Sequence, residues 1–345
     1  MNVDDLYYEL PESLIAAYPT GERESARLMV VRRDRSELIH TVFASLGDFL
    51  DPGDLLVLND TKVFPARLRG VKETGGAAEV LLLERFPDKR SLWMALIDSA
   101  KKPRVGSRIR FADDLAAEVL GDLGRGRFAL EFHHSGDFAA QLEARGEPPL
   151  PPYITRRRAP AVLDRERYQT VYAANPGAIA APTAGFHFTG KLFEQLAARG
   201  IGRALLTLHV GPGTFQPLRG GRLDSHRMEG ERYRLGSEAA EAIRRVKQLG
   251  RRVVAVGSTT TRVLEWVVRQ RGRIEADEGI TRLFIRPGTP FLVVDALVTN
   301  FHLPGSTPLA LVAAFAGIEL VRQAYAEAVR LRYRFYSYGD AMLIL

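Results

Sequence analysis

Two hydrophobic patterns share this chain, and one interrupts the other. From about residue 160 onward, strand-like runs alternate with helix-like ones. Thr189 can cap a helix with apolar positions Leu192, Phe193, Leu196 and Ala197 that stops at Gly200, and a strand-like run over 204–210 follows. Ser237 can cap a helix to Leu249, with Gly250 as its stop. Residues 253–256 then read as a strand, and Gly257-Ser258-Thr259-Thr260-Thr261 opens another helix. Strand-like runs at 283–285 and 292–298, helices to about Arg332 and a closing strand at 341–345 complete the series. Such alternation is the signature of an α/β domain. Two more strand-like runs, 28–31 and 55–58, precede it.

Between them the period changes. Short β-like runs at 66–71, 79–84, 91–97, 108–111, 115–120 and 127–132 are separated by turn residues such as Gly75-Gly76 and Gly124-Arg125-Gly126. Strands this short and this evenly spaced make a small barrel or sandwich. A stiff exit, Pro148-Pro149-Leu150-Pro151-Pro152, marks its end. The expected fold is therefore an α/β domain (1–62 and 152–345) interrupted by a smaller β-barrel-like domain (63–151). The N-terminal strands are expected to rejoin the sheet formed after residue 152.

Composition narrows the chemistry. The 345 residues include no Cys, which excludes disulfides, thiolate metal sites, iron–sulfur clusters and a Cys nucleophile. The N-terminus is acidic and lacks the apolar core of a signal peptide, and no apolar run is long enough to cross a bilayer. A cytoplasmic protein with no membrane partner is expected. The net charge of +7, mostly from Arg, favours a polyanionic partner such as nucleic acid. Arg156, Arg157 and Arg158 after the Pro-rich exit, and Arg251 with Arg252, are candidate phosphate contacts.

The residues able to carry chemistry cluster in loop-forming sequence. His187 lies in a run with Thr183 and Gly185, His209 precedes Gly211, Gly213 and Thr214, and His302 stands between Asn300 and Ser306-Thr307. Gly lets a ligand approach and Thr offers a short hydroxyl, so three such loops suggest a polar cleft built from strand ends. Any of these histidines can equally serve a buried carbonyl, and the sequence does not separate them. Thr259, Thr260 and Thr261 open a helix after a strand, a geometry suited to an anion, and Arg262 adds a carboxylate or phosphate donor. An extended segment at 226–233 would put Glu229, Glu231 and Tyr233 on one face, beside His226. No metal-ligand spacing such as H-E-x-x-H occurs there. Tyr338-Gly339-Asp340 ends an aromatic group, Tyr333, Phe335, Tyr336 and Tyr338, that can pack a core or, with loop aromatics Phe186, Phe215 and Phe301, stack a base.

Six strings, L-N-D-T-K-V-F-P-A-R-L (58–68), P-L-P-P-Y-I (149–154), A-P-T-A-G-F-H-F-T (181–189), L-T-L-H-V-G-P-G-T-F (206–215), V-T-N-F-H-L-P-G-S-T (298–307) and F-Y-S-Y-G-D-A-M-L-I (335–344), resemble one family nearly end to end. It is the S-adenosylmethionine:tRNA ribosyltransferase-isomerase family of queuosine biosynthesis. The chain departs from the pattern at Glu229, where the family has a second His, and at Ser258, where Thr is commoner.

The resemblance implies an α/β domain joined to a smaller β-barrel domain. It implies transfer and isomerisation of the ribosyl moiety of S-adenosylmethionine onto 7-aminomethyl-7-deazaguanine at the tRNA wobble position. The product is epoxyqueuosine-tRNA, and adenine and methionine leave. S-adenosylmethionine is then a co-substrate rather than a cofactor; no metal is implied, and a monomer is expected. On this reading His187, His209 and His302 form the catalytic pool, with Glu231 and Asp340 as carboxylate partners. Substrate contacts are expected from Thr183, Gly185, Gly211, Gly213, Thr214, Thr259, Thr260, Thr261, Arg262, Asn300, Ser306, Thr307 and Tyr338, with Arg262 and Thr259–Thr261 taking the methionine carboxylate. Two alternatives stand beside it: an S-adenosylmethionine-dependent RNA methyltransferase, disfavoured by the missing glycine fingerprint, and a non-catalytic RNA-binding protein, disfavoured by the density of histidine loops.

Overall fold

The structure is a computed structural model that describes residues 1–345 apart from 87, 88, 90, 152, 153, 155–160, 216, 217, 219 and 220. Arg156, Arg157 and Arg158 lie outside the described residues.

Nine strands form one large sheet. They are β1 (Arg27–Arg32), β2 (Glu37–Val42), β3 (Leu55–Asn59), β12 (Gly202–Leu208), β13 (Glu231–Leu235), β14 (Val253–Val256), β15 (Asp277–Thr281), β16 (Ala296–Asn300) and β17 (Ala341–Ile344). The order across the sheet is β15-β13-β12-β3-β14-β16-β17-β1-β2. The N-terminal strands do rejoin it: β3 sits between β12 and β14, and β1 pairs with β17. Every residue of β3 is buried, as a strand covered on both faces requires. Leu55 and Val57 pack into the core that holds Ile243, Val263 and Leu264. Leu56 and Leu58 face the opposite core, against Phe188, Leu192 and Leu196. Helices from the second half of the chain thus cover both sides of the sheet.

The six-stranded unit is a closed antiparallel barrel. It consists of β5 (Arg67–Lys72), β6 (Ala77–Arg85), β7 (Leu92–Asp98), β8 (Arg108–Ala112), β9 (Leu115–Gly124) and β10 (Arg127–His134), in the order β10-β7-β6-β5-β8-β9. Closure removes the open edges that short strands would otherwise expose. Its interior is apolar, with Leu68, Val80, Leu82, Ile109, Val119, Phe128 and Leu130 buried together. Asp137 caps the short helix Phe138–Arg145 that follows. A two-stranded pair, β4 (Thr61–Val63) with β11 (Asn175–Ala178), lies beside the strand ends of the large sheet.

Some expected elements differ, for local reasons. Of the strand-like run at 292–298 only Ala296–Asn300 is a strand. The backbone N–H groups of Leu292, Val293 and Val294 instead donate to the buried carboxylate of Glu265 at 3.0–3.1 Å. Residues 283–285 are irregular, and the Leu283 carbonyl accepts from Arg262 Nε at 2.9 Å. The helix expected to start from a Ser237 cap runs Ser237–Gln248 with Gly236 at the cap position and no side-chain cap bond. β15, in the polar run D-E-G-I-T, is extended because β13 templates it. Among the described residues no single helix is long and apolar enough to cross a membrane.

Candidate active-site cleft

Strands β12, β3, β14 and β16 run parallel, so their C-terminal ends lie along one edge of the sheet. β17 runs antiparallel to β16 and therefore begins at that edge, with Ala341 beside Asn300. In α/β sheets ligands bind outside these carboxyl ends, where the loops are free to vary. Here the edge carries an open cleft of about 610 Å³. Its wall includes Thr183, Gly257, Ser258, Thr259, Thr299, Asn300, His302, Tyr168 and Tyr336.

The polar side chains at this edge are tied to one another across long stretches of sequence. Asn59, at the end of β3, accepts from Leu208 N at 2.9 Å, donates to Leu208 O at 3.0 Å and donates to Thr259 Oγ1 at 3.2 Å. The neighbouring Asp60 accepts from Thr207 Oγ1 at 2.7 Å and from Asn175 Nδ2 at 2.9 Å. Asn300 Oδ1 accepts from Thr183 Oγ1 at 2.9 Å, and its Nδ2 donates to His187 Nε2 at 3.2 Å. Buried polar groups must be paired in this way, and a fully paired network holds a site rigid.

The three loop histidines end in three environments. His302 lines the cleft, with Nε2 2.7 Å from Thr299 Oγ1. Burial pulls its pKa down to about 3. His187 is buried behind Asn300, its ring 4.9 Å from that of Phe43, and burial pulls it to about 4. It faces a smaller hollow with Arg23, Arg167 and Tyr338 rather than the cleft itself. His209 is half-buried, with Nδ1 2.8 Å from Thr61 Oγ1. Burial lowers its pKa, but the Asp60 carboxylate opposes the shift. Of the three, it alone has a carboxylate beside it to support a proton.

Other expected contacts divide between the cleft and the scaffold. Thr183, Thr259 and Asn300 do line the cleft. The hydroxyls of Thr260 and Thr261 instead bond back to Val256 O and Gly257 O within their own helix, at 2.8 and 3.1 Å. Gly257, at φ +88°, makes the turn into that helix in a conformation other residues resist. Gly185 serves packing, since a Cβ there would lie 2.1 Å from the Tyr172 hydroxyl. Gly211 N donates to Glu231 at 3.0 Å, and Gly213 packs against Glu229. Ser306 caps the helix Thr307–Ala316, and Thr307 reaches a side pocket. Tyr338 donates to Asp164 at 3.1 Å. Thr214 lies in the turn Pro212–Phe215. Its side chain, like that of Phe215, is outside what the structure describes.

Both candidate carboxylates are engaged. Asp340 accepts from Arg27 N, Arg27 Nε and Arg334 N at 3.0, 3.2 and 2.7 Å, which clamps the β1–β17 edge. Glu231 pairs with Arg262. Glu229 is not on the buried face with Glu231 and Tyr233; it pairs with Arg127 of the barrel. His226 packs edge-on against Phe284, 4.9 Å between ring centres. Arg251 and Arg252 precede β14, so they sit at the opposite end of the sheet, roughly 16 Å of strand from the cleft. Arg252 is held there by Asp51 and Asp54. Phe301, Tyr333 and Phe335 are core, packed with Tyr325, and do not form a base pocket. Tyr336 is the member of that group that reaches the cleft, from a left-handed backbone at φ +75°.

Sequence reasoning missed Asn59, Asp60 and Thr61 as site residues, together with Thr299. The signal for the first three was present in L-N-D-T immediately after a strand. Among the described residues no group of three or more His, Asp or Glu is arranged to hold a metal.

Comparison with known proteins accords with this geometry. Residues 3–344 match the family described as Queuosine biosynthesis protein. A Pelobacter propionicus protein named S-adenosylmethionine:tRNA ribosyltransferase-isomerase is 51% identical over 344 residues, covering 100% of each chain. Proteins of the same name from Trichlorobacter lovleyi and Geobacter metallireducens are 49% and 50% identical, again covering 100% of each chain. The crystal structure of an S-adenosylmethionine tRNA ribosyltransferase from Thermotoga maritima is 38% identical, with a TM-score of 0.56 over 99% of this chain and 100% of that one.

Proposed function

The chain belongs to the queuosine biosynthesis protein family, and from that premise we propose that it is an S-adenosylmethionine:tRNA ribosyltransferase-isomerase. It transfers and isomerises the ribosyl moiety of S-adenosylmethionine onto 7-aminomethyl-7-deazaguanine at the wobble position of tRNA, giving epoxyqueuosine-tRNA. The observation that carries this reading is identity of about half, end to end, with proteins of that name. The cleft at the carboxyl ends of the parallel strands supplies a place for the chemistry.

The reaction sets physical demands. The sulfonium acidifies the adjacent 5′ carbon, so a base can take a proton there. Adenine leaves with its bonding pair and needs a proton or hydrogen bond on a ring nitrogen. The attacking aminomethyl group must be neutral. His209, half-buried and with the Asp60 carboxylate opposing the downward pull of burial, is the best candidate of the three to exchange a proton. His302 and His187 are neutral at pH 7, so they offer hydrogen bonds rather than positive charge. Asp340 and Glu231 act by fixing backbone and Arg262 rather than by moving protons. The enzyme works as a cytoplasmic monomer, with residues 1–62 and 152–345 as the catalytic unit and 63–151 as the insert. It needs no metal, and S-adenosylmethionine is its co-substrate.

Product analysis tests the reading. With S-adenosylmethionine and an anticodon stem-loop carrying the aminomethyl base, adenine and methionine should appear in equal amounts. S-adenosylhomocysteine would mark a methyltransferase instead. A stem-loop lacking the modified base should bind weakly and release no adenine, because RNA readers of single bases take them unstacked.

A further inference from the structure

A small side pocket opens beside the cleft and shares Ser258, Thr259 and Pro308 with it. Its remaining wall is mostly apolar, including Met228, Leu283, Phe284 and Leu311, with two exceptions, Thr307 and Arg262. Arg262 as a whole is only 6% exposed. Its Nε donates to Leu283 O at 2.9 Å, and its Nη1 pairs with Glu231 Oε2. Its Nη2 is buried and has no hydrogen-bond partner. The other oxygen of Glu231 accepts from Gly211 N at 3.0 Å, so the carboxylate is itself pinned between a loop and the arginine. A buried donor left open is costly and calls for an acceptor.

The same pocket is reached by the first turn of the 15-residue helix Gly257–Arg271, through Ser258 and Thr259. The first backbone N–H groups of a helix have no partner within it, and its dipole favours negative charge there. The unpaired nitrogen of Arg262, a residue that lines the same pocket, is a second and independent donor. The Arg262–Glu231 pair is neutral as a whole, so the pocket suits a zwitterion with an apolar stem better than a bare anion.

Resting on the functional reading above, we propose that this side pocket holds the amino-acid end of S-adenosylmethionine, its carboxylate on Arg262 Nη2 and the helix N-terminus, with Glu231 as the residue that positions Arg262. The nucleoside end then lies in the main cleft, and Ser258 and Thr259 stand where the two halves meet. Met228, Phe284 and Leu311 take the methylene stem. Glu231 is thus a positioning residue and not a base.

Binding of three probes, S-adenosylmethionine, decarboxylated S-adenosylmethionine and adenosine, tests this by calorimetry on the intact protein. Wild type should bind S-adenosylmethionine about 10- to 100-fold tighter than its decarboxylated form, the range of one charge-assisted pair. The double variant Arg262→Met with Glu231→Gln, which leaves no unpaired buried charge, should bring that ratio close to 1 with adenosine affinity unchanged. Glu231→Gln alone should lower the ratio part-way and raise KM for S-adenosylmethionine with kcat nearly held. Should the double variant fail to fold, Met228→Trp fills the pocket and should weaken S-adenosylmethionine while sparing adenosine. Equal wild-type affinity for the two sulfonium probes would overturn the inference and leave the function standing. So would a Glu231→Gln loss confined to kcat, or equal loss of both probes in the variants. Failure of wild type to bind any of the three probes would sink the functional reading along with it.

Discussion

His187 separates a buried neutral imidazole from one that works as a cation, and the difference can be read from stability. Burial lowers its pKa from 6.5 to about 4. The unfolded chain therefore binds a proton below 6.5 that the folded chain refuses until about 4. Across that window the unfolded state holds more protons, so stability falls as the pH drops. The contribution is fully present above 6.5 and fully lost below about 4. At pH 5 the loss is about 2 kcal/mol, and at its limit about 3 kcal/mol, at 1.36 kcal/mol per unit. His187→Gln cannot titrate, and its amide oxygen can still accept from Asn300 Nδ2. Equilibrium urea unfolding from pH 4.5 to 7.5 should show the variant less stable at neutral pH. Its curve should also be flatter, by about 1.2 kcal/mol per pH unit between 4.5 and 6. His302 contributes a slope of the same sign in both proteins and cancels in the comparison. Parallel curves for parent and variant would refute the assignment of His187 as neutral.

Two further outcomes follow from the same geometry. His209→Ala should melt close to the parent, since the ring is only half-buried, yet lose about 10²- to 10⁴-fold in adenine release, the range for a lost general base or acid; a near-parent rate would move the proton transfer elsewhere. Binding to tRNA should weaken steeply between 50 and 200 mM salt as Arg and Lys release counterions, and Arg252→Ala should leave that slope unchanged because its guanidinium is already held by Asp51 and Asp54.

The fold was more legible than the site, and the reason is range. A β-strand or an amphipathic helix is announced by neighbours two to four residues apart, so the six barrel strands and the β–α alternation could be read directly. The run at 292–298 misled because its backbone donors go to Glu265, some 27 residues earlier, and periodicity carries no trace of that bond. β15 escaped because its polar sequence is extended only by pairing with β13. At the site the distances are longer still. Asn59 bonds Thr259 across 200 positions and Asn300 bonds His187 across 113. The loop histidines, threonines and asparagines could be recognised as polar strand ends. Which of them face the cleft depends on partners that only the folded chain supplies.

That distinction changes what the Thr- and Gly-rich loops mean. Read as sequence, each hydroxyl is a potential ligand contact. In the structure Thr260 and Thr261 close their own helix turn, Thr61 meets His209, and Ser306 caps a helix. Short polar side chains at strand ends first satisfy the backbone and one another, because the parallel sheet leaves many polar groups at one buried edge. What remains for a substrate is the residue of that accounting: an arginine nitrogen with no partner, the first turn of one helix, and a cleft wall in which His302 carries no charge at neutral pH. A site built this way binds by donors that were fixed before the ligand arrived. A sulfonium, already positive, then meets the neutral imidazole of His302 rather than a cation.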